Sequence, residues 1–281
     1  MKKSRMIRML LSRNKYTRDG SKAKKDRVNL EYYTTTVNLG DALAPVIFDW
    51  MLERNQILAD APTPKTTHLL TVGSLIGGSG LFDATIWGSG IKSFDAVCGL
   101  GKRKYFQKFD IRAVRGPLTR QILTTCGYKC PEVYGDPAIL MPLIYQPHES
   151  NMKREGIGIV QHYLSNEGIP DSKNIKSIDI QTTDYKYFID QITSCEKIIS
   201  SSLHGIILAE AYGIPAVFLT KGRDGEILKY YDWYFSTERR SVKAALSFEE
   251  AVCMEPMPLP DLRQMQKGLL ASFPYDLWSA R

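Results

Sequence analysis

The feature that most restricts the fold is an alternation, run through twice, of short apolar stretches with spans whose apolar residues recur at helical spacing. In the first run, residues 28–33 read as a strand. Residues 41–55 follow as a helix, with Leu43, Val46, Ile47, Trp50 and Met51 on one face and Asp41 as its cap or first-turn acid. Residues 68–72, 84–87 and 111–114 read as further strands, and 104–110 as a loop or short helix. Gly116-Pro117 opens a helix that reaches about Cys126. The second run gives strands at 156–161, 177–180, 197–200 and 215–219, with helices at 185–194 and 205–212. Such alternation builds right-handed βαβ units, and hence an α/β fold with a parallel sheet in each half. The polar, turn-rich stretch 145–155 between the runs is expected to be the linker. That divides the chain into 28–148 and 149–245, leaving 246–281 as helical pieces that pack back across both. A length of 281 residues accommodates two domains of about 120–130 residues each.

The charge is unevenly spread. Of a net +7, residues 1–27 hold eleven Lys or Arg against two Asp, so the rest of the chain is slightly acidic. Residues 1–27 form a basic arm. It is either solvated, or it lies on an anionic membrane surface through Met6, Ile7, Met9, Leu10 and Leu11. No interleaved aromatic stripe accompanies the charges, which argues against nucleic-acid binding. The apolar patch at Met6–Leu11 is too short for a secretory signal, and no uninterrupted apolar run is long enough to span a membrane. Five cysteines, an odd number with no Cys-x-x-Cys pair, read as reduced thiols of a cytoplasmic protein. No metal-ligand set is visible.

Two glycine-rich turns follow strands, Gly73 to Gly80 and Gly88-Ser89-Gly90. Neither matches a Walker or dinucleotide fingerprint, so each is a tight turn or a ligand loop. The strongest local signal is the run from Ser200 to Pro215. There Ser201, Ser202, His204 and Gly205 fall in a strand-to-helix turn, at the carboxyl edge of a parallel sheet where ligands bind. Hydroxyls, an imidazole and helix N–H groups together suit an anionic substrate and a proton transfer. Of the other histidines, His68 reads as structural and His148 as solvated, while His162 at a strand end stays open. Arg112 and Arg115 flank a strand end, where a guanidinium fork holds carboxylate or phosphate unless it is spent in a salt bridge.

Four motifs in order resemble the polysaccharide pyruvyl transferase family. They are Asn38-Leu39-Gly40-Asp41, the glycine-rich 73–90 region, Arg112-Ala113-Val114-Arg115-Gly116 leading to Gly135-Asp136-Pro137, and Ser201-Ser202-Leu203-His204-Gly205 with its Gly-x-Pro ending. The resemblance spans about residues 30–220. It implies a GT-B-like pair of Rossmann-like domains whose parallel sheets face a cleft. It further implies phosphoenolpyruvate as co-substrate with no other cofactor, and a sugar hydroxyl pair of a polysaccharide or lipid-linked oligosaccharide as acceptor. By the same resemblance, His204 falls on the family's acid or donor-binding histidine and Arg115 near its donor-contacting arginine. Ser202 stands where family members often carry arginine, so Arg112, Lys221 or Arg223 would have to neutralise the donor.

The expected chemistry is protonation of the donor's methylene by His204, with Arg115 and Arg112 holding its anionic groups beside Ser201, Ser202 and Gly205. Asn38, Asp41, Asp136 or Glu210 orients or deprotonates the acceptor. The enzymatic alternative is a GT-B glycosyltransferase using a nucleotide sugar, which Glu210-Ala211-Tyr212-Gly213-Ile214-Pro215 also resembles. The non-enzymatic alternative is an inactive glycan-binding protein. Localisation is expected to be cytoplasmic, with the arm able to bring the chain to the inner membrane face.

Overall fold

The computed structural model describes residues 14–77, 82–97, 99–105, 107–147, 154–165, 168–169, 173–220 and 224–279. Two parallel sheets organise the chain. The first has four strands in sequential order, β1 (Val28–Glu31), β2 (Thr67–Leu70), β3 (Ala84–Trp87) and β4 (Phe109–Ala113). The second has five, in the order β6-β5-β7-β8-β9, from β5 (Ile157–Val160), β6 (Ile175–Ser177), β7 (Lys197–Ser200), β8 (Ala216–Leu219) and β9 (Ala244–Ala245). Strands β2, β3 and β8 are buried along their whole length. This is the pattern of parallel strands covered on both faces.

Helix α1 (Leu39–Glu53) starts where Asn38 accepts a hydrogen bond from the Gly40 N–H at 3.0 Å, so Asn38 is the cap and Asp41 the first-turn acid. Pro45 lies inside the helix and cannot donate to the Asp41 carbonyl, which makes the Asn38 cap more important to the first turn. Next come α2 (Leu100–Arg103), α3 (Pro117–Thr125) and α4 (Met141–Ile144) in the first half, then α5 (Tyr185–Thr193) and α6 (Leu203–Ala211) in the second. Helix α6 is apolar on nearly every side and buries seven of its nine residues, so it forms a central element of the core.

The sequence reading assigns no element between Leu219 and the tail. The structure places α7 (Ile227–Ser236) there, packed against α3. Helix α8 (Phe248–Cys253) covers β8 and β9. Helix α9 (Arg263–Ser272) turns to the first sheet, where the Trp87 indole donates to the Leu269 carbonyl at 2.9 Å and Gln266 donates to Ile139 O at 2.9 Å. One buried apolar cluster runs from Leu43, Ile47 and Met51 through Ile139 and Leu140 to Ile206, Ile207 and Trp233, so the two sheets share a core. The Leu39 N–H also donates to the Ile180 carbonyl at 2.9 Å, tying the start of α1 to the second half.

Three sequence expectations shift. The strand read at 177–180 sits at 175–177, because β6 is a short edge strand. Ile178 and Ile180 follow it as buried anchors. Helix α6 begins at Leu203, so His204 lies in its first turn and not in the loop before it. Residues 14–27, read as part of a free or membrane-bound arm, are folded onto β1. Lys24 and Asn29 exchange hydrogen bonds at 2.7 and 3.0 Å, and Tyr16 bridges Lys22. Residues 1–13, the linker stretch 148–153 with His148, and Lys221 and Arg223 lie outside the described residues. Among the described residues no helix is long and apolar enough to cross a membrane.

Candidate active site

A pocket of about 220 Å³ opens where the N-terminal ends of α1 and α6 meet the turn after β2. The first half supplies Asn38, Asp41 and the Gly73-Ser74-Leu75 turn, and the second supplies His162, Ser202 and His204. Ser202 caps α6 in an extended conformation but makes no side-chain cap bond, so its own hydroxyl leaves the first-turn N–H groups uncovered. Those groups and the helix dipole favour an anion at this mouth.

His204 is 12% exposed, and its Nε2 lies 3.6 Å from Asp136 Oδ2, a charge contact longer than a hydrogen bond. Asp136 is wholly buried. It caps the following turn through Ala138 N at 3.1 Å and accepts Gly73 N at 3.3 Å. Burial alone would raise its pKa, but His204, the Ala138 N–H and the Arg115 charge outweigh burial and hold the carboxyl below its ordinary range. A buried carboxylate therefore stands directly behind the ring, on the side away from the pocket lining.

The closeness of α1 and α6 depends on Gly40. A Cβ there would lie 1.8 Å from His204 Nδ1, so no side chain fits. Asp41 lies beside the ring, with its pKa raised by burial and only partly restored by His204.

Three cations face the same space. Lys92 and Lys229 come from opposite halves and share Glu226, Lys92 at 2.8 Å and Lys229 in closer contact. His162 Nε2 lies 3.7 Å from the same carboxylate. Burial pulls Lys229 down to about 8, against the opposing pull of Glu226. Glu226 in turn is held well below the usual range, the lysines outweighing its burial. The third cation, Arg18, comes from the N-terminal segment.

The structure separates the residues singled out from sequence. It brings Asn38, Asp41, Ser202 and His204 to the pocket, with Asp136 directly behind. Ser201 is one layer back, its Oγ accepting the His162 N–H at 2.9 Å, so it positions that histidine. Gly205 gives room to Ser200 Oγ, which a Cβ would approach to 2.4 Å.

Arg115, expected to grip the donor, is fully buried. Its Nε meets Asp232 at 3.1 Å, its Nη2 meets Ile91 O at 2.7 Å and its Nη1 meets Ser74 Oγ at 2.6 Å. Its hydrogen bond to a pocket-lining residue is the one to Ser74. The reason is Asp232 on α7, which pairs with Arg115 and caps α3 through Thr119 N at 2.9 Å, because the N-cap residue Gly116 has no side chain to do so. Arg112 is also spent elsewhere, on Asp110 and Asp276 at 2.8 Å each, and does not line the pocket. Glu210 sits near the far end of α6, bound to Arg239 and to the Trp233 indole, so it cannot orient an acceptor in this pocket. The turn at 73–75 lines the pocket, whereas Ser89 is buried behind it and donates to Gly73 O.

Sequence reasoning missed Arg18, Lys92 and Lys229. Arg18 was hidden among other charges. Lys92 stands two residues after the Gly88-Ser89-Gly90 turn, and Glu226 with Lys229 at i,i+3 is a helix-face ion pair, so both carried a faint local signal.

Comparison with known proteins bears on the reading of this site. An uncharacterized protein, L143, of Acanthamoeba polyphaga mimivirus is 27% identical over 234 residues, covering 78% of each chain. The succinoglycan biosynthesis protein ExoV of Rhizobium meliloti (strain 1021) is 29% identical over 185 residues, or 63% of this chain and 50% of ExoV. A solved structure, the uncharacterized protein KP1_0663 of Klebsiella pneumoniae, matches with a TM-score of 0.49 at 13% identity, covering 86% of this chain and 96% of the other. The family model for polysaccharide pyruvyl transferases matches residues 81–221, half of the chain and the stretch that carries Arg115, Asp136, His162 and His204. The chain belongs to the polysaccharide pyruvyl transferase family.

Proposed function

We propose that the chain transfers the pyruvyl group of phosphoenolpyruvate to two hydroxyls of one sugar in a polysaccharide or lipid-linked repeat, forming a cyclic ketal. We take the two parallel sheets as facing halves of a GT-B-like cleft, divided near residue 148. The observation that carries the reading is the pocket itself. It sets an imidazole backed by a buried carboxylate beside Arg18, Lys92, Lys229 and the open N-terminus of α6. A small, highly charged anion that must accept a proton matches that inventory.

In the reaction, protonated His204 delivers its proton to the donor's methylene carbon, which leaves cationic character at C2. The first sugar hydroxyl adds there, and the C2–O bond to phosphate breaks. The second hydroxyl then adds to the same carbon. Two hydroxyl protons are released; one restores His204 and the other leaves on phosphate or on Asp41. Asp41, with its raised pKa and its place beside the ring, suits the acceptor side. Asp136 stands behind the imidazole and orients it, and Lys92 and Lys229 exchange Glu226 for the donor's anionic oxygens. This replaces the cation that Ser202 lacks. Arg115 acts through Ser74.

The test is incubation of candidate glycans with phosphoenolpyruvate, followed by mass spectrometry. The expected gain is that of pyruvic acid less one water, with release of one phosphate. Thermal stabilisation by a nucleotide sugar and not by phosphoenolpyruvate would overturn the reading.

A further inference from the structure

Arg18 differs from the other pocket cations in how it is delivered. Residues 15–22 form a tight hairpin whose turn is organised by Asp19, which accepts from Ser21 N at 2.9 Å and from Thr17 Oγ1 at 2.5 Å. The hairpin is fixed to the body at Arg18 itself, whose backbone N–H donates to Glu31 Oε2 at 2.7 Å. Glu31 ends β1 and is 2% exposed. Its other oxygen lies 2.7 Å from Nδ1 of His68, which is fully buried and stacked on Phe82 with ring centres 4.3 Å apart. A buried carboxylate is costly without partners, and one of the two direct partners here is the backbone of a surface hairpin. With its backbone held in this way, Arg18 lines the pocket beside the 73–75 turn. Nη1 donates to Leu75 O at 2.9 Å, and the remaining guanidinium N–H groups have no partner among the described residues. A cation with unspent donors, beside a pocket already furnished with two lysines, is arranged to complete an anion's shell.

We propose that Arg18 is a donor-binding residue and that Glu31, braced by His68, is its positioning residue. The hairpin then belongs to the active site and not to a free arm. The inference rests on the pyruvyl-transfer reading and adds to it the source of the missing donor contact.

The experiment uses the full chain with phosphoenolpyruvate as probe, measuring KM, kcat and thermal stabilisation. Arg18→Gln should raise the donor KM by roughly 10-fold or more and leave kcat within about threefold, the signature of a contact made equally in ground and transition states. Glu31→Ala should shift KM the same way. Added to Arg18→Gln it should cost little more, because both act through one side chain. Glu31→Gln, whose amide oxygen still accepts the Arg18 N–H, should restore most of the affinity. Asp19→Ala loosens the hairpin from an exposed position and supplies the same KM readout if Glu31→Ala does not fold. An unchanged donor KM in Arg18→Gln, in a protein whose wild type responds to phosphoenolpyruvate, overturns this proposal alone. Additive losses from Arg18→Gln with Glu31→Ala or Asp19→Ala would remove the positioning role. A wild type that shows no response to phosphoenolpyruvate overturns the functional reading beneath it.

Discussion

Two clusters of buried charge lie a few residues apart and do opposite things. Around Arg115, the three guanidinium nitrogens, both Asp232 oxygens and the Thr119 hydroxyl are all engaged at hydrogen-bond distance, with side chains at 0% exposure. Around His204, the ring stands 3.6 Å from Asp136, Nε2 has no hydrogen bond, and the pocket opens in front of it. In the first cluster every guanidinium nitrogen and both carboxylate oxygens have partners, and the pair joins α7 to α3. The second has an unbonded ring nitrogen beside a carboxylate at the wall of an open pocket. Motif position alone did not separate them; whether the donors are already spent does.

Asp232→Ala should test the first cluster most severely. It leaves Arg115 charged and unpaired in the interior and uncaps α3, for a loss of about 3–5 kcal/mol in denaturant unfolding. A stable Asp232→Ala protein that has lost only activity would mean that the two clusters do not divide as described. His204→Ala should do the reverse, lowering turnover by about 100-fold or more with little change in unfolding midpoint. Near-normal ketal formation in that variant would take the proton transfer away from His204.

Gly40→Ala links the two tests. Alanine normally favours a helix interior by about 1 kcal/mol over glycine, yet here its methyl would displace the His204 ring. Turnover should fall by about 10-fold, and a variant with unchanged kcat would show that the ring need not sit where it does.

The mildest effect is the pH response of Lys229. Its folded value of about 8 lies below the ordinary 10.5, so the folded state binds fewer protons than the unfolded between those limits. Stability therefore rises over that window. Donor affinity should move the other way, the phosphoenolpyruvate KM rising severalfold as pH passes about 8 and the ammonium charge is lost. Lys229→Arg, which stays charged, should flatten that profile. An identical rise in the arginine variant would assign the titration to another group.

Strand and helix positions were largely legible because apolar periodicity is a local property. Strand β3 and helices α3 and α5 lie where spacing placed them, within a residue. The helix α7 was not read, since its aromatic residues are buried on several sides and leave no single stripe. His204, Asn38 and Asp41 were legible as pocket-lining residues because each lies at a helix start beside a sheet edge, where backbone geometry itself opens a cleft. Arg115 and Glu210 looked equally eligible in their motifs, and nothing local announced Asp232 or Arg239 as their partners.

By itself the sequence determined the two parallel sheets, the strand-to-helix turn at 200–205, and the family. Tertiary structure alone decided which charges remain available. A side chain's role as strut or as ligand contact depends on partners more than a hundred residues away, as with Arg115 and Asp232. It likewise drew Arg18 out of a generic basic segment, because a hydrogen bond from its backbone to Glu31 fixes where its charge points. Local periodicity encodes elements, but the competition among distant groups for each donor and acceptor is settled only once the elements are packed.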